Sequence, residues 1–420
     1  MSKKQDKAIE YYRTGAAYTR GDGVSKDDIK AYKYYLLSAK KGFVEGQYAV
    51  GYHYNVGQVV EQDYAMAIKW YSRAAKQGHV EAMCELANCY LKGWGCKQNV
   101  KKAVKFYKLS AEGGHATAYY NLAVVYNEGG HGIKQDYKEA ARLYRIAADG
   151  GCESALTGLA VLYEEGKGVP EDFDEAMRLY SEAIDKGDAR AQYKVGNYLY
   201  EVGVSRDDPS RFPKAVHLLK LSADQGYHYA QERLARCYEY GQGVDKDKRK
   251  AFQLYKLAAE QGNADAQFAM GYYYDRGEMV NQDYYEAVKW YRRAAKQGNA
   301  FAQYSLACLW EEEKGGLVRD RVEITKLFLA SAQQGFTRAQ GSAASCYFNG
   351  HGVAKNYREA VKWAKLAAEK GSAKGHLILG LCYLDGKGIN RDYSEGVRLI
   401  KIAVEKGDPA AKNIARSLGI

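Results

Sequence analysis

Apolar positions along this chain follow a helical spacing that returns about every 36 residues. Position 4 is small in ten units, position 8 is mostly aliphatic, position 9 is Gly or Ala in all eleven units, and position 12 is aromatic in ten units. One example is Ala82, Leu86, Ala87 and Tyr90. A spacing of i, i+4 and i+8 marks one face of an α-helix. The pattern predicts a first helix whose small residues allow a neighbouring helix to approach closely.

A second helix is predicted after a glycine-rich turn such as GDGV at 21–24. Each second helix ends on a glycine, from Gly42 in the first unit to Gly407 in the last, and this is the C′ position where a left-handed backbone favours Gly. An Asp or Asn near its start predicts a side-chain N-cap. These caps are Asp63, Asn99, Asp136, Asp172, Asp283 and Asp392.

One helix pair is too small to bury its own apolar face, so neighbouring pairs must stack to form a continuous core. The sequence predicts an all-α fold: a right-handed α-solenoid superhelix of about eleven 36-residue helix-turn-helix repeats with a C-terminal capping helix, forming a single domain over 1–420. The predicted repeats are 7–42, 43–78, 79–114, 115–151, 152–187, 188–226, 227–262, 263–298, 299–335, 336–371 and 372–407, followed by a half repeat at 408–420.

Composition excludes several classes of protein. The 62 basic and 51 acidic residues are interleaved, with no Lys/Arg block of the kind that binds nucleic acid. No apolar run approaches the length of a membrane span. The N-terminus lacks the apolar region of a signal peptide, which predicts a cytoplasmic protein, with signal-less secretion as an effector as the alternative. The expected partner is a protein or peptide, and the oligomeric state stays open.

Catalytic and metal-binding motifs are missing from the sequence. Neither G-x-S-x-G nor a Walker-type phosphate loop occurs. His79, Cys84, Cys89 and Cys96 lack the spacing of a zinc knuckle. We therefore expect no enzymatic activity, no metal and no cofactor. Only Cys89 and Cys96 are spaced for a disulfide within one unit, and this pairing stays open; the lack of systematic pairing favours a reducing compartment.

The stretches GQYAVGYHY at 46–54 and YYEAVKWYRRAAKQG at 284–298, together with the G-x-G-V turns, resemble the Sel-one-like repeat, a relative of the tetratricopeptide repeat. The resemblance implies a scaffold or adaptor that holds other proteins. A first alternative is a regulatory subunit of a signalling or host-interaction complex, acting through the longer segment 200–213. A second is the penicillin-binding or hydrolase activity of the cysteine-rich branch, whose paired cysteines this chain lacks.

Positions 3, 6, 10 and 13 of the first helices point away from the predicted core stripe, and positions 6 and 10 carry rings interspersed with Asn and Arg, a composition typical of protein interfaces. We expect a partner to bind here, in a concave groove, although position 6 could equally be a packing ring between adjacent helices. The candidate residues are Tyr12, Tyr48, Tyr52, Asn88, Tyr120, Tyr193, Asn197, Arg236, Phe268, Tyr272 and Tyr304. Position 27 is basic in nine units, and acidic residues three positions earlier favour a salt-bridged solvent face there.

Overall fold

The computed structural model describes residues 3–420, which form 23 α-helices and one 3-10 helix, with no β-strand in that range. The described chain divides into two compact units, one ending at Gln192 and the other beginning at Tyr193, and the division falls inside a helix. We refer to them as the N-terminal unit and the C-terminal unit.

The N-terminal unit contains ten complete helices. Their bounds are α1 (Lys3–Arg20), α2 (Asp28–Lys40), α3 (Val44–Val56), α4 (Tyr64–Ala75), α5 (Val80–Lys92), α6 (Val100–Glu112), α7 (Ala116–Glu128), α8 (Tyr137–Asp149), α9 (Glu153–Glu165) and α10 (Phe173–Asp185). The division between the units lies within α11 (Ala189–Ser205).

The C-terminal unit contains the 3-10 helix Pro209–Arg211 and twelve complete α-helices. Their bounds are α12 (Phe212–Asp224), α13 (His228–Tyr240), α14 (Lys248–Glu260), α15 (Ala264–Arg276), α16 (Tyr284–Lys296), α17 (Ala300–Glu311), α18 (Arg321–Gln333), α19 (Thr337–Asn349), α20 (Tyr357–Glu369), α21 (Ala373–Asp385), α22 (Tyr393–Glu405) and α23 (Pro409–Leu418).

Odd-numbered helices are the predicted first helices and even-numbered helices the second ones, so the all-α repeat architecture is confirmed. Within each unit every helix packs on the next one along the chain. First helices of successive repeats also contact one another; examples are α7 with α9 and α19 with α21. The single domain over 1–420 stays a prediction. None of the described helices is both long and apolar enough to cross a membrane.

Helix ends follow the predicted capping chemistry. The glycines that close the second helices all have positive φ, for example 95° at Gly42 and 85° at Gly407. All six predicted N-caps accept hydrogen bonds from backbone N–H groups; Asp63, for example, accepts from Met66 at 2.9 Å. Capping satisfies donors that the first turn of a helix leaves free. The sequence therefore predicted the helix boundaries from local chemistry alone.

Close packing of the two helices in a repeat depends on small residues opposite a ring. Tyr291 is fully buried, and a Cβ added at Gly271 would lie 2.5 Å from its ring. In the same way a Cβ at Gly51 would lie 2.7 Å from the ring of Tyr71. Glycine at position 9 therefore gives the second-helix ring room to lie directly on the first-helix backbone.

The longer segment 200–213 is not an open loop. Helix α11 has 17 residues and extends to Ser205, and the 3-10 helix follows it directly before α12. Arg211 pairs with Asp208 at 2.9 Å, which fixes the turn between them. The extra residues of this repeat therefore lengthen its first helix and shape its turn.

Six of the nine basic residues at position 27 pair with an acidic residue three positions earlier on the same helix, as the sequence predicted. The basic side chains are largely exposed, for example 63% for Lys289, so solvent screens these pairs. We call this set of second-helix ion pairs the charge ladder. Its pairs are Glu139–Arg142, Glu175–Arg178, Glu286–Lys289, Glu323–Lys326, Glu359–Lys362 and Glu395–Arg398.

Candidate protein-binding cleft

The predicted rings at position 6 are half-buried and pack inside their own repeats. Five of the six lie against a ring of the second helix, with centroid distances of 5.5 to 5.9 Å. These pairs are Tyr12–Tyr35, Tyr48–Tyr71, Tyr120–Tyr144, Phe268–Tyr291 and Tyr304–Phe328. Such pairs stabilise the helix packing beyond the apolar area that they bury.

Position 6 also contacts the start of the next repeat. Four of the rings meet an aromatic or imidazole ring at the first residue of that repeat, and Tyr48 stacks on His79 at 4.6 Å. The other three pairs are Tyr12–Phe43, Tyr193–Tyr227 and Tyr304–Phe336. Position 6 therefore has the packing role that the sequence left as an alternative, and only part of each ring remains open to a partner.

Position 10 is more varied in its exposure. Tyr52 and Tyr272 are exposed, at 47% and 38%. In contrast, the side-chain oxygen of Asn88 accepts hydrogen bonds from Tyr107 and Asn121, so this amide belongs to an internal polar cluster. The side-chain oxygen of Asn197 is buried without a hydrogen-bond partner in the described chain. Among the predicted position-10 residues, the two tyrosines are thus the more accessible to a partner.

Three of the predicted residues come together in the C-terminal unit. Arg236, Phe268 and Tyr272 line a cleft of about 550 Å³ beside α13, α14 and α15. Its other lining residues are Glu232, Glu239, Tyr240, Lys246, Lys248, Tyr255, Asp265, Ala269, Tyr273, Glu278 and Phe301. We call this site the aromatic cleft. Its size lies within the range of pockets that bind small ligands or side chains of a partner.

Exposed rings dominate the mouth of the aromatic cleft. Tyr240 is 63% exposed and Phe301 is 52% exposed, in addition to Tyr272. The ring of Phe301 lies 5.6 Å from that of Phe268 and extends the aromatic surface toward the next repeat. Large exposed rings of this kind are enriched at protein interfaces because they bury much area and lose little side-chain entropy.

Polar contacts hold the walls of the aromatic cleft in place. The hydroxyl of Tyr255 donates to Glu239 at 2.8 Å, and Lys248 pairs with Glu278 at 2.9 Å. Asp265 accepts from the Asn299 amide at 2.7 Å. Because these groups already have partners inside the protein, the side chains around the exposed rings are preorganised before a ligand arrives.

Glu232 is a buried carboxyl group in the wall of the aromatic cleft, with only 7% of the residue exposed. Burial raises the pKa of Glu232 to about 7, while the positive charges of Arg233 and Arg236 act in the opposite direction. Its carboxylate oxygen lies 3.8 Å from the Arg236 guanidinium. The cleft therefore contains a carboxyl group whose charge changes near neutral pH.

Most of the predicted rings of the N-terminal unit are partly buried. Burial raises the pKa of Tyr48 to about 12, and the carboxylates of Glu85 and Glu81 add to that rise. Burial also raises the pKa of Tyr120. Tyr12, Tyr48 and Tyr120 are thus partly buried rings of individual repeats, and Tyr52 is the exposed ring among the predicted residues of this unit.

The cysteines are all free thiols, including Cys89 and Cys96, whose pairing the sequence left open. The Cys96 thiol lies 3.7 Å from the carbonyl oxygen of Cys89. Burial raises the pKa of Cys89 to about 12 and that of Cys308 to about 11, which leaves little thiolate at neutral pH. Residues 3–420 contain no group of three or more His, Cys, Asp or Glu arranged to hold a metal ion.

Sequence reasoning missed Glu232, Tyr240 and Phe301. Glu232 stands at position 6 of its repeat, where six other repeats carry a ring, and this break in the pattern was a usable signal. Phe301 stands at position 3, which was predicted to point outward. Tyr240 lies at the C-terminal end of α13; its place at the cleft depends on the neighbouring repeat, so the sequence of its own helix gave no signal.

Comparison with known families and structures agrees with the repeat plan. The Sel1 repeat model matches ten segments, at 11–43, 44–79, 80–115, 116–152, 153–188, 189–227, 228–263, 264–299, 337–372 and 373–408. The predicted repeat 299–335 is not among them, although α17 and α18 form a helix pair there. A comparison with curated proteins found no match.

Solved structures of similar sequence include a protective antigen of uropathogenic Escherichia coli that displays an SLR fold. It is 29% identical over 98% of this chain and 87% of its own length, with a TM-score of 0.58. A Sel1 repeat protein of Oxalobacter formigenes is 24% identical over 84% of this chain and 90% of its own, with a TM-score of 0.41. Sel1 repeats commonly serve as scaffolds for protein interaction. The matched segments span well over half of the sequence, so the chain belongs to the Sel1 repeat family.

Proposed function

We propose that the chain is a non-enzymatic scaffold or adaptor whose aromatic cleft binds a peptide segment of a protein partner. The observation that carries this proposal is the grouping of the exposed rings Tyr240, Tyr272 and Phe301 around one cleft of about 550 Å³. Elsewhere most predicted rings are half-buried in the packing of their own repeats. The cytoplasmic location expected from the sequence stays a prediction.

The mechanism is preorganised binding. A partner side chain that enters the cleft meets rings that the helix packing already fixes, so few side chains lose freedom on binding. Arg236 lies at 43% side-chain exposure beside the rings and offers a guanidinium for the polar groups of a peptide. Several modest contacts of this kind, centred on one or two buried rings, give useful affinity.

A displayed peptide library selected on the immobilised chain tests the proposal. The selected peptide is then titrated by fluorescence anisotropy against the wild type, the cleft variant Tyr240→Ser/Tyr272→Ser, and the control Tyr285→Ser/Tyr393→Ser. The control removes two tyrosines of similar exposure, 64% and 52%, from second helices. We expect the cleft variant to weaken binding by at least about tenfold and the control by less than about twofold.

Far-UV circular dichroism of both variants must match the wild type, since these side chains lie at the surface. If no peptide is enriched, or if the folded cleft variant binds the selected peptide as well as the wild type does, the aromatic cleft is not the binding site.

A further inference from the structure

A second surface feature lies at the edge of the last repeats, where the first helices begin. Here a recess of about 500 Å³ is lined by four basic side chains, Arg338, Lys370, Lys374 and Lys406, and by one acidic side chain, Asp408. All four basic residues are exposed. We call this site the basic recess. It shares no lining residue with the aromatic cleft.

The basic recess lies where a repeated hydrogen bond is broken. In four earlier repeats a glutamine at the end of the second helix donates its side-chain amide to the glutamine at position 5, at 2.8 to 3.0 Å. These bonds are Gln77–Gln47, Gln261–Gln231, Gln297–Gln267 and Gln334–Gln303. The bond links each second helix to the first helix of its own repeat.

Lys370 replaces the donor glutamine in the repeat that begins at α19. Its ammonium group donates to the carbonyl oxygen of Gly335 at 3.0 Å instead. The matching acceptor, the side-chain oxygen of Gln340, is buried and has no hydrogen-bond partner in the described chain. An unpaired buried oxygen costs free energy. Lys370 therefore places a positive charge at this edge. Its repeat lacks the glutamine–glutamine hydrogen bond that four other repeats have.

Acidic side chains do not neutralise the basic recess. Within residues 3–420, neither Arg338 nor Lys374 has a carboxylate within ion-pair distance. The carboxylate of Asp408 caps α23 by accepting from the N–H groups of Ala410 and Ala411. Helix α19, which begins at Thr337, has no side-chain cap at its N-terminus, and this end of a helix carries partial positive charge.

We propose that the basic recess binds an acidic segment of a protein partner, with side-chain carboxylates paired to Arg338 and Lys374. The four basic groups belong to two successive repeats, with two in each, and a chain of several carboxylates meets them better than a single small anion does. Complementary charge of this kind speeds association and selects the partner. The proposal does not depend on the aromatic cleft.

Titration of a fluorescein-labelled oligoglutamate peptide into the full chain tests this proposal by fluorescence anisotropy at low ionic strength. The recess variant is Arg338→Glu/Lys374→Glu. The matched control is Lys33→Glu/Lys69→Glu, which makes the same change in net charge at exposed second-helix lysines that have no acidic residue three positions earlier. We expect the recess variant to raise the dissociation constant by at least about tenfold and the control by less than about threefold, with affinity falling as NaCl is added.

Three results would overturn the proposal: no binding of oligoglutamate, an equal loss of affinity in the folded control and recess variants, or full displacement of the peptide by inorganic phosphate where NaCl of the same ionic strength does not displace it. The last result would assign the recess to phosphate. Each leaves the peptide selection on the aromatic cleft unaffected, so the two proposals fail separately.

Discussion

Acidic and basic side chains stand side by side in both the charge ladder and the aromatic cleft, yet their surroundings differ. In the ladder Lys289 lies 2.5 Å from Glu286, and both side chains are well exposed, at 63% and 36%. In the cleft Arg236 lies 3.8 Å from Glu232, whose side chain is only 9% exposed. Solvent therefore screens the ladder pair, whereas Glu232 is largely removed from water.

Under the proposed function, this difference separates the contacts that stabilise the repeats from those that recognise a partner. Ladder residues recur at a fixed spacing, so in six repeats the acidic side chain pairs with a basic side chain on its own helix. Several residues of the aromatic cleft depart from the repeat: Glu232 stands at position 6, where six other repeats have a ring, and Tyr240 and Phe301 stand at positions where most repeats have no ring. We infer that recognition depends on the residues that depart from the repeat.

The largest effect is expected from Gly271→Val, directly beneath the aromatic cleft. A Cβ at this position would lie 2.5 Å from the buried Tyr291 ring, so α15 must move away from α16. We expect a loss of about 3 kcal/mol in the free energy of unfolding, measured by urea denaturation, together with loss of the selected peptide.

Gln253→Val, at an exposed position of α14, is the control for the change in side-chain type. This substitution should lower the free energy of unfolding by less than about 1 kcal/mol, because it changes only the helix propensity. A Gly271→Val variant as stable as this control would show that the position-9 glycine is not required by packing.

A smaller effect, of opposite sign, is expected from Glu232→Gln. The pKa of Glu232 is raised from 4.5 to about 7 in the folded chain. Between these two pH values the folded chain therefore holds a proton on Glu232 that the unfolded chain has released. Stability therefore falls as the pH rises through this window, and the cost of the buried charge is complete above pH 7. The Arg236 side chain is 43% exposed and stays hydrated, so removal of the carboxylate does not leave an unpaired charge buried in the protein.

Urea denaturation at pH 8 should show Glu232→Gln to be more stable than the wild type by about 1–2 kcal/mol, and the difference should disappear near pH 4.5. Arg233 is held by Glu201 at 2.9 Å, which keeps it paired in both proteins. Glu286→Gln in the charge ladder should show no such gain. A destabilised Glu232→Gln at pH 8 would mean that the pair with Arg236 outweighs the burial of the carboxylate.

The smallest effect is expected in the charge ladder itself. Lys289→Gln/Lys362→Gln breaks two exposed ion pairs, of 2.5 and 3.4 Å. We expect less than about 0.5 kcal/mol of change for each pair and no change in peptide affinity. A large loss of affinity here would show that the second-helix face takes part in recognition, which contradicts the distinction between the two regions.

Local chemistry explains why the fold was predictable from the sequence. Glycine at the helix ends, Asp or Asn at the N-caps and small residues on the core face each act within one repeat, and all of them appear in the structure as expected. The site was less predictable because it depends on neighbouring repeats. Tyr48 was expected to point outward, but His79 of the next repeat stacks on it.

The same limit explains the residues that were missed. Glu232 is buried by the helices around it, and only their arrangement turns a position-6 acid into a cleft residue with a raised pKa. Arg236, Phe268 and Tyr272 were predicted individually, but the sequence could not show that they line one cleft while Tyr12 and Tyr120 do not.

Site-specific photo-cross-linking tests the central claim most directly. A benzophenone amino acid is placed at position 272 in the aromatic cleft and, in a second protein, at position 285 on α16, where Tyr285 is 64% exposed. Each protein is irradiated with the selected peptide and the products are mapped by mass spectrometry. The account predicts a peptide adduct at position 272 and none at 285. Equal adducts at both positions, or an adduct at 285 alone, would contradict it.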